Sequence, residues 1–82
     1  MTAPSLQLIY RRDCLLCDEM LAALREFGER VALPPLEPLD VDSDPQLQSL
    51  YGLQVPVLLL DGTVVCRFRF NGAALEQRLT RA

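Results

Sequence analysis

The sequence predicts an α/β fold in which a mixed sheet of four strands is flanked by helices. Short apolar runs and segments of helical periodicity follow one another in the order β-α-β-α-β-β-α. The pair Asp61-Gly62 lies between two of these runs and is typical of a tight β-hairpin. The 82 residues, 50% of them hydrophobic, suffice for one compact domain over residues 1–82 with a small core.

The first strand and the first helix adjoin each other. The apolar run over residues 6–10 is typical of a buried strand. A helical stripe follows it, and we expect Gly28 to end this helix in the left-handed conformation. The stripe consists of Leu16, Met20, Ala23, Leu24 and Phe27.

Prolines mark the second strand and the second helix. Residues 36–41 can form a strand, and Pro38 lacks a backbone donor, so we expect this strand at a sheet edge. Asp44 should cap the short helix that follows, with Pro45 at its first position and Gly52 after its last turn. The apolar side of this helix comprises Leu47, Leu50 and Tyr51.

The last part of the chain predicts a hairpin and a closing helix. Residues 56–60 form the first strand of the hairpin, which opens on a proline. Asn71 should cap the closing helix, with Leu75 and Leu79 pointing inward. Alternation in the second hairpin strand predicts one buried face made of Val64, Cys66, Phe68 and Phe70.

Composition excludes several classes of function. The formal net charge is −3 and arginine is the only basic side chain, which argues against nucleic acid as a partner. Without histidine, the chain lacks the usual general base and the commonest metal ligand. The longest apolar run, residues 55–60, is far too short for a membrane span, and no secretory signal begins the chain. We therefore expect a cytoplasmic protein that does not bind membranes.

Cys14 and Cys17 lie three positions apart where the first strand gives way to the first helix. Unpaired backbone N–H groups at a helix start stabilise a thiolate, and Arg11 and Arg12 add positive charge. Cys14, at the outer end of the helix, is therefore the expected nucleophile. Cys17, one turn further in, can resolve a mixed disulfide.

Two other interpretations of the pair are less favoured. Core filling conflicts with the charged residues on both sides of it. A zinc site within one chain needs four ligands that the sequence does not offer, so we predict no bound metal. An iron–sulfur cluster shared between two chains through Cys14 stays open. The third cysteine, Cys66, is expected to be an inert core residue.

The dipeptide Val55-Pro56 opens the third strand. An X-Pro bond at this place is a candidate cis peptide, which would free the preceding backbone N–H and C=O to pair with a thiol peptide. The alternative is a plain proline at a strand start.

Together these features resemble a glutaredoxin of the thioredoxin superfamily, over nearly the whole chain. IYRRDCLLC matches the pattern of a strand followed by a basic residue, here Arg11, three positions before the first cysteine. QVPVLLLDG matches the segment with the cis-proline and the hairpin. The resemblance implies a thioredoxin-like fold, with Cys14 as nucleophile, Cys17 as resolving thiol and Pro56 as the cis-proline.

The resemblance also implies a glutathione site, from which this sequence departs. Val55 would pair with the glutathione backbone and Arg11 would contact a glutathione carboxylate. The family's Gly-Gly and acidic residues are replaced by residues 70–74, where Asn71 and Gly72 alone remain to hold the amino end of glutathione. Leu15 and Leu16 replace the usual proline and aromatic residue between the cysteines. The chain thus resembles the glutaredoxin-like proteins more than a standard glutaredoxin.

We therefore expect a monomeric thiol–disulfide oxidoreductase that reduces protein or glutathione mixed disulfides. It would bind no cofactor, with glutathione as a co-substrate or a reductase as the source of electrons. One alternative is a non-catalytic binding module of the same fold, which binds partners at Val55-Pro56. The other is a carrier of an iron–sulfur cluster that two chains share through Cys14.

Overall fold

The computed structural model describes residues 5–80, which contain four strands and three α-helices in the predicted order. Residues 1–4 and 81–82 of the predicted domain lie outside the described residues. No helix of the described part is long and apolar enough to cross a membrane. The elements are β1 Leu6–Tyr10, α1 Leu15–Gly28, β2 Leu36–Asp40, a 3₁₀ turn at Val41–Ser43, α2 Pro45–Tyr51, β3 Val57–Leu60, β4 Thr63–Arg67 and α3 Gly72–Thr80.

The strands form one mixed sheet in the order β2-β1-β3-β4. β1 runs parallel to β2 and antiparallel to β3, and β3 pairs antiparallel with β4. Asp61 and Gly62, which join the hairpin, both have positive φ, 51° and 80°, as a type I′ turn requires. The predicted fold class is confirmed, and β2 with its Pro38 lies at a sheet edge as expected.

Both faces of the sheet are covered. On one face, α1 and α3 pack against the sheet through Met20, Leu24 and Leu75. On the other face, Val41 and the inner side of α2 pack against Ile9. Every residue of β3 is buried, because its side chains point alternately into the two cores.

The expected alternation along β4 is wrong, because this strand contains a β-bulge. Cys66 pairs with Leu58, but Val64 pairs with Leu59, which leaves Val65 as an extra residue. One extra residue reverses the faces, so Val64 packs on the α2 side and Cys66 on the α1 and α3 side. The strand ends at Arg67, and Phe68 is 46% exposed instead of buried.

The helix ends agree with the sequence in part. Asp44 accepts the Gln46 N–H at 2.8 Å and caps α2, and Gly52 follows that helix, both as expected. α1 does not end on a left-handed Gly28: Glu29 closes it at φ −72°, donating its N–H to the Glu26 carbonyl. Leu50, expected on the apolar side of α2, is 55% exposed.

Gly72 begins α3 in close contact with two aromatic rings. Phe27 and Phe70 meet edge to face with their centroids 5.4 Å apart. A Cβ on Gly72 would lie 3.0 Å from Cε2 of Phe27 and 3.2 Å from Cε2 of Phe70. The absence of a side chain thus lets the start of α3 approach α1.

We predict opposite effects of alanine at the two helical glycines. Gly72→Ala should lower the free energy of unfolding by about 1–3 kcal/mol, because its Cβ meets two packed rings. Gly28→Ala should raise it by about 0.5–1 kcal/mol, because a Cβ there finds its nearest atom, Cδ1 of Leu33, at 3.4 Å. Chemical denaturation measures both, and equal effects would contradict the packing described for Gly72.

Candidate redox site

Cys14 and Cys17 form a disulfide at the junction of β1 and α1, with their Cα atoms 5.2 Å apart. The chain turns here through Asp13, whose φ of 56° lies in the left-handed region that aspartate tolerates. Cys14 has extended backbone dihedrals and is the N-cap of α1. Its sulfur therefore takes the place that a Ser, Thr or Asp oxygen usually occupies at a helix start.

Hydrogen bonds and burial distinguish the two sulfurs. The Cys17 N–H donates to the Cys14 Sγ at 3.2 Å, and the Arg11 N–H lies 3.5 Å from the Cys17 Sγ. Cys17 is only 2% exposed, whereas Cys14 is partly exposed and is followed by Leu15, which is 73% exposed. Cys14 is therefore the sulfur that an incoming molecule can reach, and a helix amide faces it.

The two arginines before the pair are engaged with carboxylates. Arg11 donates Nε to Asp42 at 2.9 Å and Nη2 to the other oxygen of that carboxylate at 3.2 Å. Its Nη1 donates to the Gly52 carbonyl at 3.0 Å. Arg12 lies 3.6 Å from the Asp40 carboxylate. The positive charge expected beside the thiol is thus offset, and the backbone amides of α1 remain to stabilise an anion there.

The bidentate pair also shifts the acidity of both its members. Hydrogen bonding from Arg11, and then from Gln48, holds the pKa of Asp42 below its ordinary value. The same bond raises the pKa of Arg11. The pair fastens the end of β1 to the 3₁₀ turn and, through Gly52, to the end of α2. The guanidinium of Arg11 therefore bonds to groups within the fold and joins the loops around the disulfide.

The Val55–Pro56 segment lies at the same end of the sheet as the disulfide. Ile9 near the end of β1 pairs with Val57, which in turn pairs with Arg67 at the end of β4. The Val55–Pro56 peptide bond is cis, and Pro56 is fully buried. Within residues 5–80, neither the N–H nor the C=O of Val55 has a hydrogen-bond partner. A free backbone donor and acceptor thus precede β3.

Asn71 and Gly72 lie at the start of α3. Asn71 accepts the Ala74 N–H at 3.0 Å, so it caps α3 as expected. Gly72 packs against Phe27, which lies roughly 18 Å along α1 from its first residue at about 1.5 Å per residue. The structure therefore brings Cys14, Cys17, Arg11, Val55 and Pro56 to one end of the sheet, and places Gly72 beside the far end of α1.

Phe68 is a residue of the site that sequence patterns missed. Its N–H donates to the Pro56 carbonyl at 2.8 Å, and its φ is 66°. It lines a groove of about 280 Å³ with Leu16 and Glu19 from the first turns of α1. A regular strand over this segment would have buried Phe68, and no sequence pattern predicts the bulge.

The third cysteine, Cys66, is a free thiol on the α1 and α3 side of the sheet. Burial raises its pKa, which keeps it protonated and poorly reactive at neutral pH. Among residues 5–80, no group of three or more His, Cys, Asp or Glu side chains is arranged to hold a metal ion.

A sheet in this strand order, with a cysteine pair at the start of the first helix and a cis-proline before β3, defines a thioredoxin-fold protein with a redox role. Comparison with protein families gives the finer assignment. Residues 5–80 match the Glutaredoxin-like domain family, and the chain belongs to that family. No curated protein sequence matches it significantly.

Solved structures agree with this assignment. A structural genomics target protein from X. campestris is 34% identical, with a TM-score of 0.72 over 94% of this chain and 97% of that one. A protein from Nitrosomonas europaea is 26% identical, with a TM-score of 0.82 over 95% of this chain and 93% of that one. Thioredoxin 1 from Thermosipho africanus, 19% identical with a TM-score of 0.62 over 94% and 96%, shares the fold.

We predict that the Arg11–Asp42 pair makes stability depend on pH at the acid end. Because the pKa of Asp42 is lowered in the folded state, the unfolded state binds more protons, and stability is lost as pH falls through the folded value. The Asp42→Asn variant should therefore show a flatter loss of stability below about pH 4 than the parent protein.

Denaturant unfolding measured at several pH values tests this prediction. Glu76→Gln, an exposed change on α3, is the matched control and should leave the slope of the parent protein in place. An identical acid slope in the parent protein and in Asp42→Asn would show that the pair does not matter for stability.

Proposed function

We propose that this protein is a thiol–disulfide oxidoreductase in which Cys14 is the nucleophile and Cys17 the resolving thiol. The observation that carries the proposal is the asymmetry of the pair. The Cys14 sulfur is reachable and accepts a helix amide N–H, whereas the Cys17 sulfur is buried one turn behind it. A hydrogen bond to a thiolate is charge-assisted and favours the ionised form, which is the reactive one.

The reaction begins with both thiols reduced. The Cys14 thiolate attacks one sulfur of a substrate disulfide, forms a mixed disulfide and releases the other sulfur as a thiolate. The Cys17 thiol then gives up its proton and attacks the Cys14 sulfur, which releases the second substrate thiolate. The products are the Cys14–Cys17 disulfide and a substrate dithiol, so two electrons pass from the pair to the substrate and the released thiolates take up protons.

Return to the dithiol needs two electrons from outside the chain. We propose two molecules of glutathione, which would leave as glutathione disulfide, or a reductase as the donor. The odd number of cysteines and the unpaired Cys66 favour a reducing compartment such as the cytoplasm. No resident cofactor takes part in this cycle.

The free backbone groups of Val55 supply a way to hold the substrate. An extended peptide next to Val55 could accept its N–H and donate to its C=O, as in strand addition at a sheet edge. That pairing would orient the substrate backbone without regard to sequence. It would also serve the alternative in which the fold is a binding module.

Cysteine variants test the roles of the three thiols. Cys14→Ser should reduce disulfide reduction to the background rate, because no reachable nucleophile remains. Cys17→Ser should accumulate a mixed disulfide at Cys14, visible by mass spectrometry, because the resolving step is blocked. Cys66→Ser, the matched control, should keep the rate. Activity that survives Cys14→Ser and is lost in Cys66→Ser would reverse the assignment.

Titration of thiolate absorbance in the reduced protein tests the helix-start argument. One thiol, lost in Cys14→Ser, should have a pKa below the value of about 8.5 that is typical of free cysteine. An unshifted value, together with partner binding that survives Cys14→Ser, would favour the binding module. Iron and colour in anaerobically purified protein would favour the cluster carrier.

A further inference from the structure

Three exposed apolar side chains belong to residues at the redox end of the sheet. Among the described residues, the exposed large hydrophobics are Leu15, Leu50, Leu53 and Phe68. Leu15 follows Cys14 directly and is 73% exposed, and Leu53 is 96% exposed. Apolar side chains that are exposed at the same end of the sheet as the cysteine pair can form a contact surface there.

Hydrogen bonds hold Leu53 at the redox end of the sheet. The carbonyl of Gly52, the residue before Leu53, accepts a hydrogen bond from Nη1 of Arg11 at 3.0 Å. The side-chain Oε1 of Gln54, the residue after Leu53, accepts one from Nε of Arg67 at 2.7 Å. Arg11 lies three residues before Cys14, and Arg67 comes directly before Phe68. Leu53 is thus held between the loop that carries the disulfide and the end of β4, with its side chain in solvent.

An unusual backbone turn presents Phe68. The Arg69 N–H donates to the Arg67 carbonyl at 2.6 Å, which closes a γ-turn around Phe68 with its φ at 66°. This turn is rare, and an aromatic residue adopts positive φ only at an energetic cost. The bond from the Phe68 N–H to the Pro56 carbonyl offsets part of that cost. The result is an aromatic ring held in solvent beside α1.

Charges beside Cys14 disfavour a small anion at that sulfur. The guanidinium groups of Arg11 and Arg12 face Asp42 and Asp40. Asp13, Asp18 and Glu19 are exposed on and before the first turn of α1. An incoming carboxylate would therefore meet carboxylates beside Cys14, whereas an apolar or basic segment would not be repelled. Arg67 and Arg69, the neighbours of Phe68 in sequence, are both exposed, and the described residues provide neither with a carboxylate within an ion-pair distance.

We propose that Leu15, Leu53 and Phe68 form a docking surface for an extended apolar segment of a disulfide-bearing protein, and that such polypeptides are preferred over glutathione mixed disulfides. This inference rests on the proposed function and names its substrate class. The occupant is a polypeptide because Val55 offers a backbone donor and acceptor beside the same surface. It is apolar because of the exposed side chains, and the acidic residues around Cys14 and Leu15 favour a basic rather than an acidic flank there.

Single-turnover reduction of defined disulfides tests the proposal. Reduced protein would be mixed with equimolar amounts of three probes, and the loss of protein thiols followed with time. One probe is a peptide disulfide flanked by Leu, Phe and Arg. The second has the same sulfur spacing but is flanked by Asp and Ser, and the third is glutathione disulfide. We expect the apolar peptide to react about tenfold or more faster than either of the others.

Variants assign the preference to the surface. Leu15→Ser, Leu53→Ser and Phe68→Asn should each lower the ratio of the apolar to the acidic peptide rate several-fold. Asparagine is chosen because it tolerates the left-handed backbone of Phe68 while removing the ring. Leu50→Ser is the matched control, since Leu50 is also exposed but lies on α2. Circular dichroism would establish that each variant is folded.

The outcomes separate the two proposals. If the reduced protein reacts with none of the three disulfides, the proposed function fails and the docking surface with it. If it reacts with all three at similar rates, or prefers glutathione disulfide, the oxidoreductase stands and the docking surface is wrong. The same holds if the three surface variants behave like Leu50→Ser.

Discussion

The structure depends on a sulfur that caps a helix. Cys14 is the N-cap of α1, and its Sγ accepts the Cys17 N–H at 3.2 Å. A cap acceptor is part of what allows a helix to begin, and here the sulfur of the proposed nucleophile is that acceptor. Local stability and chemistry therefore act on one atom: a thiolate is a stronger acceptor than a disulfide sulfur, so the reduced, ionised pair caps α1 better than the oxidised pair.

The sheet explains why the other parts of the site meet this sulfur. β1 lies between β2 and β3, and its buried side chains, such as Leu8 and Ile9, alternate between the two cores. The antiparallel pairing of β1 with β3 sets the end of β1 beside the start of β3. The hairpin then returns the end of β4 to the same place. Cys14, Val55 and Phe68, far apart in sequence, thus share one end because of strand direction alone.

Much of this arrangement could be predicted from the sequence, because periodicity and turn chemistry are local. The apolar run of β1, the caps Asp44 and Asn71, and the Asp61-Gly62 turn all act within a few residues. Three features could not be predicted, since each depends on contacts between distant segments. The bulge in β4 reverses side-chain faces, and Arg11 bonds a carboxylate 31 positions away. Gly72 is required because the ring of Phe27, on α1, packs against the start of α3.

Because Arg11 and Arg12 are bonded within the fold, the groups that can stabilise a thiolate differ from those that can bind a substrate. Had Arg11 been free, it could both stabilise a thiolate and bind a carboxylate of a small substrate. Arg11 is instead bonded to Asp42 and Gly52, so the backbone amides of α1 are left to stabilise a thiolate. The same bonds mean that Arg11 is not available to bind a carboxylate of a small substrate. In the docking proposal, the substrate is recognised by exposed side chains that the core does not need, among them Leu15 and Phe68. Because apolar contacts are non-directional, the proposed docking surface would accept many polypeptides, and pairing with the backbone of Val55 would fix their orientation.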